Sequence, residues 1–301
     1  MRREFTTNLK ASYRLVIKRL VYLLLIFCCA FSITATADNS AEPTPKLAPL
    51  NLGLIPHLST NLLMKKYSNL INYLEAKLGR PVIVNTAPDF KTYMQRCAEG
   101  RFDLYMTAPH MATHHEKYNQ HIRHAKFSNK LSSVVTVRKD SPYNAVKELK
   151  GLTISAPDSL AVNTINGEVT LSENGLIVET DVTIKYTTSN NNPLFLLAEG
   201  KVDAAITGLP VFKIVNKNPK LKNQLRILKT SNGIPHMMFM SPPGVSETER
   251  ELFKNALLNM HKNDTGNAFL SGLPFGHLIE ITDEDMQSLS GMLELLEKRL
   301  K

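Results

Sequence analysis

The sequence predicts an α/β protein built as two lobes that close on a central ligand cleft. Three observations carry this expectation. Short apolar runs alternate with stretches of 3.6-residue period, one block of sequence recurs at an offset of 100 residues, and the folded part holds a single cysteine, Cys97.

The first segment reads as a targeting leader and has to be set apart before the fold is considered. Arg2, Arg3, Lys10, Arg14, Lys18 and Arg19 form a basic start, residues 20–34 are almost wholly apolar, and Ala35-Thr36-Ala37 has the small-x-small pattern of a signal-peptide cleavage site. The apolar run falls short of the roughly 20 residues that a membrane span needs. Residues 1–37 are therefore expected to be a signal peptide removed after Ala37, which makes the protein periplasmic. The loss of six basic residues and Glu4 lowers Lys plus Arg from 36 to 30 and Asp plus Glu from 27 to 26. So small an excess, without long charge runs, offers no nucleic-acid surface. Cys28 and Cys29 leave with the leader, which excludes a disulfide framework. Stability must come from apolar cores, which a chain of this length can build as two lobes.

Residues 38–49 (DNSAEPTPKLAP) are polar and Pro-rich, a flexible linker that can bury nothing. Beyond them, apolar runs at 50–55, 82–84, 104–106, 152–154, 182–184, 204–206 and 237–240 predict strands. Between the runs, Leu63, Tyr67, Leu70, Leu74 and Leu78 share one helical face, and Leu252, Phe253, Ala256, Leu257 and Met260 share another. Strands alternating with helices mean parallel βαβ units. Gly79, Gly100, Gly151, Gly175 and Gly200 each follow a helical stretch, where left-handed backbone ends a helix without a Cβ penalty. Ser246 with Glu249 has the pattern of a capping box, and Asp283, Glu284 and Asp285 after Thr282 suit the start of the last helix.

The recurring block is the most informative feature. Ala98-Glu-Gly-Arg-Phe-Asp103, an apolar run, Thr107 and Pro109 return as Ala198-Glu-Gly-Lys-Val-Asp203, an apolar run, Thr207 and Pro210. Each copy reads as a helix end, a Gly cap, a short strand, and a helix opened by Pro, so the two lobes should share one βαβ build. In open α/β sheets the ligand sits beyond the carboxyl ends of the strands, where helix N-termini present free N–H groups. The loops expected there are rich in hydrogen-bonding residues: 56–60, 107–110, 156–159, 188–192, 207–208 and 235–236.

With Lys139-Asp-Ser141, Glu148-Leu-Lys-Gly151, Ala156-Pro-Asp-Ser159 and Ala198-Glu-Gly-Lys-Val-Asp-Ala204 in this order, the chain resembles the phosphate/phosphite/phosphonate-type (PhnD-like) substrate-binding proteins of ABC transporters over nearly all of 50–301. The resemblance implies the type II periplasmic-binding-protein fold. Lobe 1 would comprise 50–135 and 232–301, lobe 2 would comprise 136–231, and two crossovers, 131–139 and 233–241, would form the hinge. It also implies a monomer without a cofactor, delivering a small polar ligand, an oxyanion among the candidates, to an ABC permease in the inner membrane. Departures bear on the cargo. The family's Ser-Thr-Ser-Gly-like anion turn is matched by Ser159-Leu160-Ala161-Val162, and its Gly-Pro-x-x-Tyr segment by Ala108-Pro109-His110-Met111-Ala112. A family histidine of the second lobe falls near Asn190, while Ser159 and Asp203 are retained.

His57, Thr107, His110, Ser159, Asn190, Asp203, Thr207 and His236 are the expected ligand-binding residues. Two other readings stay open: a periplasmic sensor that passes its closed state to a membrane receptor kinase, and a zinc site on His110 and His114, four residues apart on a helix. The chain has no nucleophile elbow, phosphate-binding loop, Cys-x-x-Cys or dinucleotide fingerprint, so it reads as a binder rather than an enzyme.

Overall fold

The computed structural model describes residues 47–301 except Lys220 and Lys222, so the expected leader and its cleavage site lie outside the described residues. From its start the chain forms β1 (Leu50–Leu54), α1 (Thr60–Leu78), β2 (Val82–Asn85), α2 (Phe90–Ala98), β3 (Leu104–Thr107), α3 (Pro109–Asn119) and β4 (Ile122–Phe127). It crosses to β5 (Ser133–Arg138), β6 (Thr153–Ala156), α4 (Val162–Glu173), β7 (Thr183–Tyr186), α5 (Asn192–Ala198), β8 (Ala204–Gly208), α6 (Leu209–Val215) and β9 (Leu225–Thr230). It returns through β10 (Met238–Ser241), α7 (Glu247–Leu258), α8 (Asp264–Ser271), β11 (Leu278–Ile279), α9 (Asp283–Gln287) and α10 (Ser290–Leu300).

Two sheets result, ordered β2-β1-β3-β10-β4-β11 and β7-β6-β8-β5-β9. Each has a parallel trio, with β1 between β2 and β3 in one and β6 between β7 and β8 in the other. Each then takes an antiparallel strand from just after a crossover: β10 lies between β3 and β4, and β5 between β8 and β9. Because β5 pairs with β8 and β9, residues 133–135, expected in the first lobe, are built into the second sheet. The stretches of chain that actually cross shrink to 128–132 and 231–237. They are pinned to each other where Leu131 N donates to Ile234 O and Ile234 N donates to Leu131 O, both at 2.9 Å.

The seven apolar runs all fall in strands. Four described strands carry no marked run: β4 (IRHAKF) and β9 (LRILKT) interleave basic residues with apolar ones, β5 (SVVTVR) lies in the stretch read as a crossover, and β11 is only two residues long. On α1, Leu63, Tyr67, Leu70 and Leu74 are buried as their spacing requires. On α7, Phe253, Ala256 and Leu257 are buried but Leu252 is 52% exposed, so the core face is narrower than expected. In the second lobe the strand period of two sends Val135 and Val137 into one core and Val134 into another on the opposite face. Thr282 forms a full capping box with Asp285, whereas Ser246 accepts from Glu249 N at 3.3 Å without the reciprocal backbone bond.

The recurring block proves to be a structural clasp. Gly100 and Gly200 end their helices with φ of 67° and 68°. Three residues later Asp103 N donates to Asn51 O while its carboxylate accepts from Asn51 N at 2.7 Å. In the other lobe Asp203 N donates to Thr153 O and its carboxylate accepts from Thr153 N at 3.0 Å. Each aspartate thus fastens the amino end of its strand to the central parallel strand of its sheet. Removing the acceptor leaves a strand-end N–H unmatched, so Asp203→Ala is expected to cost about 1–3 kcal/mol. Urea unfolding of Asp203→Ala and Asp103→Ala checks this, and midpoints equal to the parent's would contradict the clasp.

Candidate ligand cleft

A cavity of about 230 Å³ lies between the two sheets. Ile55, His57 and Leu58 enter it after β1, Phe90 at the start of α2, and Ala108 and Met111 around the start of α3. Leu131, His236 and Met237 come from the crossovers, and Phe275 from the loop before β11. The second lobe supplies Ala161, Val162 and Asn163 at the start of α4, Asn190 after β7, and Gly208, Pro210 and Val211 where β8 passes into α6. Most of the wall is therefore made at strand carboxyl ends, as parallel βαβ units dictate.

The chemistry of the wall differs from the hydrogen-bonding loops expected there. Of its 17 residues only His57, Asn163, Asn190 and His236 carry polar side chains, and none is charged. The polar loop residues are turned into the protein or towards the other lobe. Thr107 is fully buried one residue behind Ala108, and Thr207, one residue behind Gly208, donates its hydroxyl to Asn190 O at 3.1 Å. His110 reaches Leu160 O of the second lobe through Nε2 at 3.1 Å, and Ser159 offers its carbonyl to Arg299 of the first. Asp203 sits at the amino end of β8, about 13 Å along the strand from Thr207 at 3.3 Å per residue. Its carboxylate is spent on Thr153 N, which takes it out of the site. Three of the eight expected residues, His57, Asn190 and His236, line the cavity.

Asn163 escaped the sequence reading because it follows an apolar stretch and belongs to no recognisable motif. Its amide lies against Gly208, where an added Cβ would come within 2.9 Å of Asn163 Nδ2. The missing side chain at 208 is what makes room for it.

The two cavity histidines are set differently by their neighbours. A carbonyl can only accept, so the 3.0 Å contact with Ile55 O puts the proton of His57 on Nδ1 and leaves Nε2 to accept from Tyr67 Oη at 3.4 Å. His236 Nδ1 accepts from Met237 N at 2.8 Å, so its proton is on Nε2, for which no protein acceptor lies within reach among the described residues. His236 is thus the ring with a donor to give.

Backbone groups add a second kind of donor. The N-cap positions of α3, α4 and α6 are Ala108, Ala161 and Gly208, all three lining the cavity and all without a side-chain cap. Away from the cavity Ser246, Asn263 and Thr282 do cap their helices. The uncapped ends favour negative charge, least so at α6, where Leu209 N already donates to Ser132 O at 2.9 Å and Pro210 has no N–H. The turn before α4, by contrast, is already closed on itself: Leu160 N donates to Asp158 Oδ1 at 2.8 Å and Ala161 N to Asp158 O at 2.9 Å.

The zinc arrangement is not assembled. His110 faces Leu160 while the His114 ring packs on Tyr118 with centroids 4.8 Å apart, and among the described residues no three His, Cys, Asp or Glu side chains gather as a metal site.

Residues 52–286 match the family model described as "ABC transporter, phosphonate, periplasmic substrate-binding protein". The chain belongs to this family of periplasmic substrate-binding proteins. Its fold is shared with PhnD1 from Prochlorococcus marinus, solved with methylphosphonate, at a TM-score of 0.72 and 17% identity over 83% of this chain and 98% of that one. The binding component of a phosphonate ABC transporter from Pseudomonas aeruginosa aligns at a TM-score of 0.69 and 17% identity over 84% and 87%. The periplasmic aliphatic sulphonate binding protein SsuA from Escherichia coli aligns at 0.57 and 16% over 85% and 94%. No curated protein sequence matches. The family's two-lobed type II fold is therefore the architecture of this chain, as the order of its strands requires.

Within this family member, burial keeps the histidines neutral: it pushes His57, His110, His121, His124 and His236 down to about 4. Folded, each binds fewer protons than the unfolded chain once pH drops below about 6.5. Their contribution to stability is then complete above pH 6.5 and is lost as pH falls towards 4, at up to about 1.4 kcal/mol per pH unit for each group. Thermal melts between pH 7.5 and 4.5 are expected to show the midpoint falling steadily below about pH 6.5; a flat profile across that window would rule the account out.

Proposed function

We propose that this protein captures a small organic anion with an apolar substituent between its lobes and delivers it to an ABC permease in the inner membrane. The carrying observation is the interlobe cavity itself, with apolar walls and three uncapped helix starts around it. The walls suit a hydrocarbon portion, and the helix amides with His236, Asn163 and Asn190 suit a compact anionic head. An alkyl- or arylphosphonate, or a sulfonate, combines both. The absence of acidic side chains from the wall disfavours a cation. The leader fits the same picture: export, removal of residues 1–37, and a mature protein acting in the periplasm without catalysing a reaction.

The test is a thermal-shift panel on the protein starting at Asp38, with inorganic phosphate, methylphosphonate, benzylphosphonate, butanesulfonate and ethanolamine. Ligands that bind only the folded state add about 2.7 kcal/mol at 100 times their Kd. The substituted phosphonates or the sulfonate should raise the melting temperature, and ethanolamine should not. A shift with ethanolamine alone, or silence from every anion at 10 mM, about 100 times a typical weak Kd of 0.1 mM, would refute the proposal. For the anion that binds, His236→Ala and Asn163→Ala should each weaken affinity about tenfold, the equivalent of roughly 1.4 kcal/mol.

A further inference from the structure

We infer that Arg299, near the end of α10, is a positioning residue that ties the two lobes together by gripping Glu168 of the second lobe. The inference concerns regulation of the proposed cleft and rests on that reading only for its consequence, since the tie itself uses no ligand.

α10 follows the strands of the first sheet, yet it packs on both α3 of the first lobe and α4 of the second. A Cβ added at Gly291 would touch the Val169 side chain of α4 at 3.9 Å, so the two helices pack against each other there. Leu160 and Ile165 are counted within the core of the first lobe although they belong to the second, so an apolar seam underlies the contact. Every hydrogen bond described for the Arg299 guanidinium goes to the second lobe. Nη2 meets both carboxylate oxygens of Glu168, at 2.5 Å for Oε1, and Tyr186 Oη at 2.8 Å, while Nη1 meets Ser159 O. Tyr186 completes the set by donating to Glu168 Oε1 at 3.3 Å and by placing its ring 5.3 Å from the guanidinium.

The side chains of Arg299 and Glu168 are 17% and 2% exposed, so this is an enclosed pair rather than a surface one. An enclosed carboxylate that loses its partner is costly, which is what makes such a pair a latch. The neighbouring carbonyl of the same loop, Leu160 O, is held by His110 of the first lobe. Opening the cleft about the crossovers has to break both contacts. Loosening the tie should therefore change lobe separation before it changes the fold of either lobe.

The experiment measures the distance between spin labels on exposed Lys65 of α1 and Lys213 of α6, replaced by cysteine in a Cys97→Ser background, by pulsed electron resonance without ligand. The parent should give one short, narrow distribution. Arg299→Met and Glu168→Gln should shift it to longer and broader distances, and Arg299→Lys should restore most of the short population, a rescue that a purely packing role would not require. Unchanged distributions in both charge-removing variants, or a parent already open, would overturn the inference. If Arg299→Met fails to fold, the isosteric Glu168→Gln alone decides. No ligand enters these measurements, so an error in the cargo assignment would leave them unaffected and would show only in the thermal-shift panel.

Discussion

The reciprocal hydrogen bonds between Leu131 and Ile234 hold together the only places where the described chain passes from one sheet to the other. Their importance is geometric. With the two passages fixed side by side, β5 and β10 enter opposite sheets as antiparallel strands, and the parallel trios on either side direct their carboxyl ends to a common space. The cavity, the uncapped helix starts and the contact of α10 with α4 all follow from that arrangement. The crossovers also supply part of the wall themselves, through Leu131, His236 and Met237. Hinge and cavity wall therefore share these three residues.

The cleft works with neutral groups. Burial prevents its histidines from becoming cations, no ionised side chain lines it, and the helix ends provide only partial charges. The carboxyl and guanidinium side chains described above stand elsewhere, in the Arg299–Glu168 contact and in the two aspartate clasps. Such a division keeps strong fields at the seam and the sheet ends, and leaves the cavity to discriminate by shape and by a few directed donors.

The fold was legible in the sequence to the extent that each strand was uniformly apolar. The seven runs and the recurring block were enough for two βαβ lobes, whereas β4 and β9 were hidden by their basic residues, β5 was read as a crossover and β11 is too short to make a run. The site was legible by position but not by direction. His57, Asn190 and His236 lie where loop position placed them, yet whether a side chain faces the cavity is decided by long-range packing that sequence spacing does not encode. Thr107 and Thr207 are each one residue out of line, and a strand turns alternate residues to opposite faces. Asp203 was misread for a related reason. The same short strand carries a structural end and a ligand-facing end, and the recurrence of Asp103 in the other lobe was the available sign that this aspartate holds the sheet rather than the ligand.

The insertion of β10 between β3 and β4 also governs the order in which the molecule can be assembled. β3 and β4 are separated by one helix in sequence, but the slot between them is filled only after more than 100 further residues have been made, since β10 begins at Met238 and β4 ends at Phe127. Until then the first sheet has two unpaired inner edges and cannot close, and such non-local pairing slows folding. A chain delivered from its amino end would stay incomplete through most of its passage across a membrane, which keeps it threadable when a translocation channel requires an unfolded polypeptide. The same delay leaves strand edges open to wrong partners, so the late arrival of one four-residue strand would both keep such a chain threadable and expose it to aggregation while it is incomplete.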